Sequence, residues 1–538
     1  MNDGRAEAVA ADARVRRCGR AVLWSVLLFA LSAALQRGNG AWRSDFGDDP
    51  DEPAHVVTSL MMRDYLAGGL WHGEHPLHFA QRYYDAFPKV ALGHYPPGFY
   101  VVAGLWLLPA AGKTALLLLV AALTAAAGMV TVHFGRRLGL AAAPLAGVWF
   151  VLMHLTQKQS MLVMSDLLLC TGFLVAALAF AWFMDRPTAG NALLFGVLAA
   201  ATMLTKAPGA ALALVPPLAI ALTGRWRLLR DWRLWLAPVP VLLTAVPWTL
   251  MTFKITKEGM ADQTVAEYFP AAVRFYFGAM LPSLGVVLLA GTVLAVTTVL
   301  VRWVREGQGP SSYAAVLAAL VGSTLLLYCV SPSGMSSRYL LPLAPVAILA
   351  TMWVIEHEAR AFSGTAGEAS PAGRAAVPLA LALQLAFPGS EARGKHMSGF
   401  SEAAEKLLAS DTSGRVLISS DARGEGALIA ELALRIKQRD ESPWQVVRGS
   451  KFAASSEWSG RGYETKYADT AGLAKGLKGE HVEWVIHDTG IPAEHEFEHH
   501  RLIRKLLNEA GAVDVVARIP SGRSKDGKPH ELIICRVK

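Results

Sequence analysis

Asp45-Phe46-Gly47-Asp48-Asp49-Pro50-Asp51-Glu52-Pro53-Ala54-His55 lies just after the first hydrophobic segment of the chain. Carboxylates beside a membrane span are costly, so an acidic cluster at the exit of such a span reads as functional. A water-soluble acceptor could meet a lipid-borne donor at that place.

The rest of the sequence supplies the membrane. Of 538 residues, 53% are hydrophobic and only 17% charged, too apolar for a string of ordinary soluble domains. From Ala21 to about Pro388 the apolar residues fall in blocks of the length a helix needs to cross a bilayer, roughly 20 residues. Spans are expected near 21–36, 114–134, 139–155, 161–183, 190–205, 207–223, 234–252, 277–301, 313–331, 339–355 and 375–388, about eleven by the length criterion. Pro97 to Ala111 is apolar too. Counting it as a span would reverse the arginine pattern that follows, so it is expected to be interfacial or re-entrant.

Glu391 to Lys538 is mixed and charged, with alternating strand and helix patterns. The expected fold class is therefore mainly α. A polytopic transmembrane helical bundle (1–390, with a large outer loop at 37–113) precedes a small soluble α/β domain (391–538), the boundary falling near Gly389 to Lys395. Strands are expected at Val416–Ser419, Val482–Ile486, Ala512–Ile519 and Glu531–Val537, with helices near 400–409, 425–437, 469–477 and 496–510.

The net charge of +8 does not point to nucleic acid, because the arginines gather between hydrophobic segments. Arg14, Arg16, Arg17, Arg20, Arg136, Arg137, Arg186, Arg225 to Arg233, Arg302, Arg305 and Arg360 all fall on one side of the span map. By the positive-inside rule that side is the cytoplasm. The N-terminus is then cytoplasmic, the first span a retained anchor, and loops 37–113 and 253–275 and the tail extracytoplasmic. Cys18, Cys170, Cys329 and Cys535 stand singly, which excludes a disulfide framework or a CxxC metal pair.

Within the outer loop, Pro53 to Ala67 has helical periodicity, with Val57, Leu60, Met61 and Tyr65 on one face and Gly68-Gly69 as a stop. Asp51 and Glu52 then sit at a helix N-terminus. There a carboxylate caps orphan backbone N–H groups, and a capped carboxylate held ionised also suits a general base. His55, one turn on, is either a solvated helix residue or a partner that tunes Asp51. Asp166 is placed near the outer end of its span.

Asp51-Glu52, His94-Tyr95-Pro96-Pro97-Gly98-Phe99-Tyr100, Leu204-Thr205-Lys206 and Arg338-Tyr339-Leu340-Leu341-Pro342 occur in that order over residues 15–390. The pattern resembles the GT-C superfamily of polytopic membrane glycosyltransferases, in the bacterial branch of the protein O-mannosyltransferases and lipid A aminoarabinose transferases. The resemblance implies an enzyme of the bacterial cytoplasmic (inner) membrane that moves a sugar, hexose or pentose, from a polyprenyl-phosphate donor to an acceptor hydroxyl on a glycan, lipid or protein, with inversion. By carry-over, Asp51 matches the catalytic carboxylate and Glu52 its neighbour. Lys206 and Arg338 are donor-phosphate candidates, with snorkelling at the interface as the plain alternative. His94 stands where relatives often carry Lys, and a neutral imidazole supplies less charge. His55, Tyr95 and Asp166 are supporting candidates. No cofactor is expected: the acidic cluster could hold a divalent cation, yet no ligand spacing demands one.

Other features weigh less. Lys254, Lys257, Asp262, Glu267 and Arg274 read as an ordinary charged outer loop or as the edge of an acceptor groove. His495-Glu496-Phe497-Glu498-His499 matches HExxH, but no third ligand is within reach and the segment reads as a solvated helix face. Gly424-Glu425-Gly426 reads as a turn that could hold an anion. The alternative class is a non-catalytic transporter or polyprenyl-lipid-binding protein, which would place its charges near mid-bilayer on broken helices. Most acidic candidates here lie in one outer loop.

Overall fold

A computed structural model describes residues 2–363, 371–387, 394–456, 461–509, 511–522 and 529–538. Among these, six helices are long and apolar enough to cross a membrane: Cys18–Gly38, Lys113–Arg137, Asp166–Asp185, Trp232–Lys257, Val265–Glu306 and Ser312–Val330. Of the other expected spans, the one at 339–355 forms the 21-residue helix Leu343–Ser363 and the rest are shorter apolar helices. Ala143–Leu152 has 10 residues and Ala189–Thr205 has 17, about 15 and 26 Å of helix against a hydrocarbon core of about 30 Å.

Local chemistry explains the breaks. The segment expected at 139–155 stops at Met153, whose extended backbone separates Ala143–Leu152 from His154–Ser160. Pro208 disfavours helical backbone just before it, so Ala189–Thr205 ends at an extended Lys206 before a 3₁₀ stretch, Ala207–Leu214. Val265–Glu306 kinks at Gly285 (φ 80°), just past Pro282, where the Gln384 amide fills the space of a side chain. The apolar segment after Pro97 forms Gly98–Leu107, too short to span. The loop expected at 253–275 shrinks to 258–264, because both flanking helices run on. Thr264 and Glu267 form a capping box there.

The tail folds as a five-stranded sheet in the order Gln445–Arg448, Arg415–Ser419, Val482–Asp488, His530–Val537, Val513–Ser521. The first three strands are parallel and the last two antiparallel. Phe400–Leu408, Ala422–Arg435, Thr470–Gly479 and Glu498–Leu507 are its main helices. The boundary expected at Gly389 to Lys395 lies mostly outside the described residues.

At its described end the tail is stapled to the outer loop. The Asp45 carboxylate accepts from the backbone N–H groups of Phe400 (2.9 Å) and Ser401 (3.1 Å), capping the first tail helix from 355 residues away. Arg439 pairs with Asp64 at 3.1 Å. Gly426 leaves no room for a side chain, since a Cβ would lie 2.8 Å from Pro53 Cγ. That glycine belongs to the Ala422–Arg435 helix, capped by Asp421, and not to an anion-holding turn.

Candidate active site

The acidic stretch resolves residue by residue. Asp51 is the N-cap residue of the Glu52–Asp64 helix, yet its side chain makes no capping bond. Asp49 supplies a local turn instead, accepting from the Asp51 N–H at 3.0 Å. The expected capping role of Asp51 is thus corrected: its Oδ2 accepts from Arg338 Nη2 at 3.0 Å and from the Tyr95 hydroxyl at 2.9 Å. Arg338 Nη1 reaches Asp49 Oδ2 at 2.9 Å, so one guanidinium forks across two carboxylates. The Asp51 side chain remains 19% exposed and that of Arg338 13%.

Glu52 takes another direction. It is fully buried against Lys395, whose Nζ donates to Oε1 at 2.6 Å. The same oxygen accepts from Val163 N, and Oε2 from Gly47 N. Those three bonds engage both oxygens, so Glu52, expected beside Asp51 in the chemistry, braces loop, bundle and tail.

Lys206 and Asp166 converge from two helix ends. Lys206 projects from the break before Pro208, and Asp166 opens Asp166–Asp185. They form a buried ion pair at 2.8 Å. The Tyr339 ring lies between the cations, its centroid 5.2 Å from Lys206 Nζ and 5.5 Å from Arg338 Cζ. It stacks on Tyr328 at 4.8 Å with 7° between planes. Close backbone contact sets this spacing: a Cβ on Gly98 would sit 2.7 Å from the Leu204 carbonyl oxygen, so the segment carrying Tyr95 abuts the one carrying Lys206.

His55 is not solvated. It is 0% exposed, boxed by Tyr95, Phe99 and Tyr100 at ring-centroid distances of 4.7, 5.4 and 5.6 Å, and makes no side-chain bond to Asp51. His94 is half-buried, within electrostatic reach of Glu258 and Asp51.

The electrostatics follow from these contacts. For Asp51, burial pushes the carboxyl pKa up, but the Arg338 charge and the bonds from Arg338 and Tyr95 outweigh it and hold the group below its ordinary value. At Asp49 burial wins over Arg338 and the pKa rises. Burial lowers His55 to about 4, and lowers His94 against the pull of Glu258 and Asp51. Both imidazoles are neutral at physiological pH.

Asp51, Tyr95, Asp166, Lys206, Arg338 and His55 therefore share one site. Sequence reasoning missed Asp49, Tyr339 and Lys395. The first two lie inside stretches already singled out, but Lys395 carried no local signal.

The HExxH segment is not a helix face. Phe497 has extended backbone and the helix begins at Glu498, so His495 and His499 lack the one-turn spacing that zinc needs. His499 is buried against Tyr463 at 3.0 Å, and His495 lies 3.4 Å from Asp421.

No family model and no curated protein sequence matches the chain. Among solved structures it is similar to ArnT from Cupriavidus metallidurans in the apo state, with a TM-score of 0.54 and 15% identity over 96% of this chain and 98% of that one. ArnT from the same organism bound to undecaprenyl phosphate gives a TM-score of 0.53 at 14% identity, covering 95% and 98%. The chain has the fold of the GT-C glycosyltransferases.

Proposed function

We propose that this protein is an integral-membrane glycosyltransferase that moves a sugar from a polyprenyl-phosphate donor to an acceptor hydroxyl on the extracytoplasmic face, with Asp51 as general base. The observation that carries the reading is the partly exposed Asp51 carboxylate, held by Arg338 and Tyr95 beside a second cation, Lys206. A base, two cations and an opening are what transfer from a lipid phosphate needs. One of the similar structures, ArnT, was solved bound to undecaprenyl phosphate, and we extend that donor class to this chain.

In the proposed reaction the acceptor oxygen attacks the anomeric carbon while Asp51 takes its proton. The bond from that carbon to the phosphate oxygen breaks, and its electron pair leaves with the polyprenyl phosphate. Arg338 and Lys206 offset the charge on the leaving group. Arriving phosphate competes with Asp51 and Asp49 for Arg338. Once Arg338 turns to the phosphate, Asp51 loses the contact that depresses its pKa and becomes a stronger base. The scheme invokes no cofactor. Asp166 and Lys206 adjoin the outer-loop carboxylates in a buried ion pair, an arrangement that favours transfer over a transport path.

The test is Asp51→Asn, assayed with polyprenyl-phosphate sugars. Asn keeps an oxygen for Arg338 and Tyr95 but cannot accept the proton. Expression and thermal stability should stay near wild type while turnover falls about a hundredfold or more, the usual range for a lost general base. Full activity in this variant would remove Asp51 from the mechanism.

A further inference from the structure

His55 is the one residue of the site whose chemistry the proposed reaction leaves unused. Neither ring nitrogen has a hydrogen-bond partner, although the residue is completely buried. Leaving such a group unpaired is costly enough to need a compensating use. Its place is central. It packs at 4.7 Å on the Tyr95 ring, whose hydroxyl bonds to Asp51, and the charges of Asp51, Lys206, Asp166 and Arg338 all act on it. Of its three aromatic walls, Phe99 and Tyr100 are buried and only Tyr95 reaches the surface, latched to Asp51 through its hydroxyl.

The chemistry of the ring narrows the ligand. A neutral imidazole offers one N–H and one lone pair. A phosphate anion can only accept, so it would leave one nitrogen unpaired, and two cations already stand ready for it. Sugar hydroxyls both donate and accept.

We infer that His55 reads the sugar of the donor, exchanging hydrogen bonds with its hydroxyls once the Tyr95 ring has moved aside. This rests on the transferase reading and makes His55 a specificity-determining residue. Donor binding supplies the trigger: when Arg338 turns to the phosphate, the network that latches Tyr95 to Asp51 is broken and the cover is released.

The experiment compares binding of undecaprenyl phosphate with binding of a panel of undecaprenyl-phosphate mannose, glucose, galactose and arabinose, using the full-length protein and its His55→Phe and His55→Gln variants. Wild type should bind at least one sugar-linked lipid more tightly than the bare lipid. His55→Phe should bind bare undecaprenyl phosphate as wild type does and lose about tenfold for the sugar-linked lipid, as one or two neutral hydrogen bonds would give. His55→Gln, which still donates and accepts, should recover part of that loss. His55→Phe should also melt at the wild-type temperature or above, since it removes an unpaired buried polar group. Equal weakening for bare and sugar-linked lipid would assign the contact to phosphate and overturn the inference. No sugar-dependent gain in wild type, or a lower melting temperature with no rescue by Gln, would do so as well. If wild type transfers sugar and His55→Phe binds normally, the inference fails while the transferase reading stands; no transfer by wild type from any sugar-linked lipid of the panel removes the reading itself.

Discussion

At Asp51 the acid–base behaviour depends on where Arg338 sits. In the free protein the paired carboxyl lies below its ordinary value, near 3.9 for an unperturbed Asp. The ionised, active form is therefore lost only as pH falls through that lowered value. By the same sign, the ion pair contributes stability above the unfolded pKa and loses it as pH drops through the folded one. With donor bound and Arg338 engaged on phosphate, the depression is relieved. The acid limb of kcat/KM, which reports the free enzyme, should thus lie at lower pH than the acid limb of kcat, which reports the complex. Coincident limbs in a pH–rate profile would show that Arg338 stays on Asp51 throughout turnover. Asp51, Lys206 and Arg338 were legible as a set through the motifs by which the sequence resembles the GT-C enzymes. Their pairing was not legible: Arg338 meets Asp51 across 287 residues and Lys395 meets Glu52 across 343, separations at which no local pattern acts.

Helix existence was readable from composition and helix length was not. Six segments are long and apolar enough to span among the described residues, while several others are cut by single residues such as Pro208. Those cuts build the site, since the extended backbone at Lys206 sets the direction in which its side chain leaves the helix end to meet Asp166. The abutment at Gly98 is the matching device on the other side. Ala there should force Gly98–Leu107 away from the Leu204 carbonyl, because the contact is backbone and cannot swing aside. A displacement of about 1 Å can cost a hundredfold in rate, so Gly98→Ala should lower kcat by about ten- to a hundredfold. Gly190→Ala is the control: it lies in the helix leading to Lys206 and has nothing within 4 Å. Turnover assays giving equal rates for both variants would separate the abutment from the chemistry.

Over the whole molecule, contact and charge fix the sides in different ways. The outer loop and the tail share Asp45 on the Phe400 and Ser401 amides, Glu52 on Lys395 and Asp64 on Arg439, so they occupy one side of the membrane whichever side that is. Asp166 opens a helix of 20 residues that ends at Asp185, about 30 Å away. At that far end Arg225 donates to the Met184 carbonyl and Arg233 to that of Pro187. Arginines at the end remote from the site are the topology expected when the site faces outward. Single cysteines introduced at Trp71, Lys538 and Trp226, all exposed, convert this into a measurement in a background lacking the four native cysteines. An impermeant maleimide added to intact cells should label Trp71→Cys and Lys538→Cys alike and leave Trp226→Cys unmodified until the membrane is opened. Opposite behaviour of the first two would break the stapling of loop to tail. Labelling of Trp226→Cys alone would keep the stapling but turn the site inward, and a transferase drawing on donor at the outer face could not then be this protein.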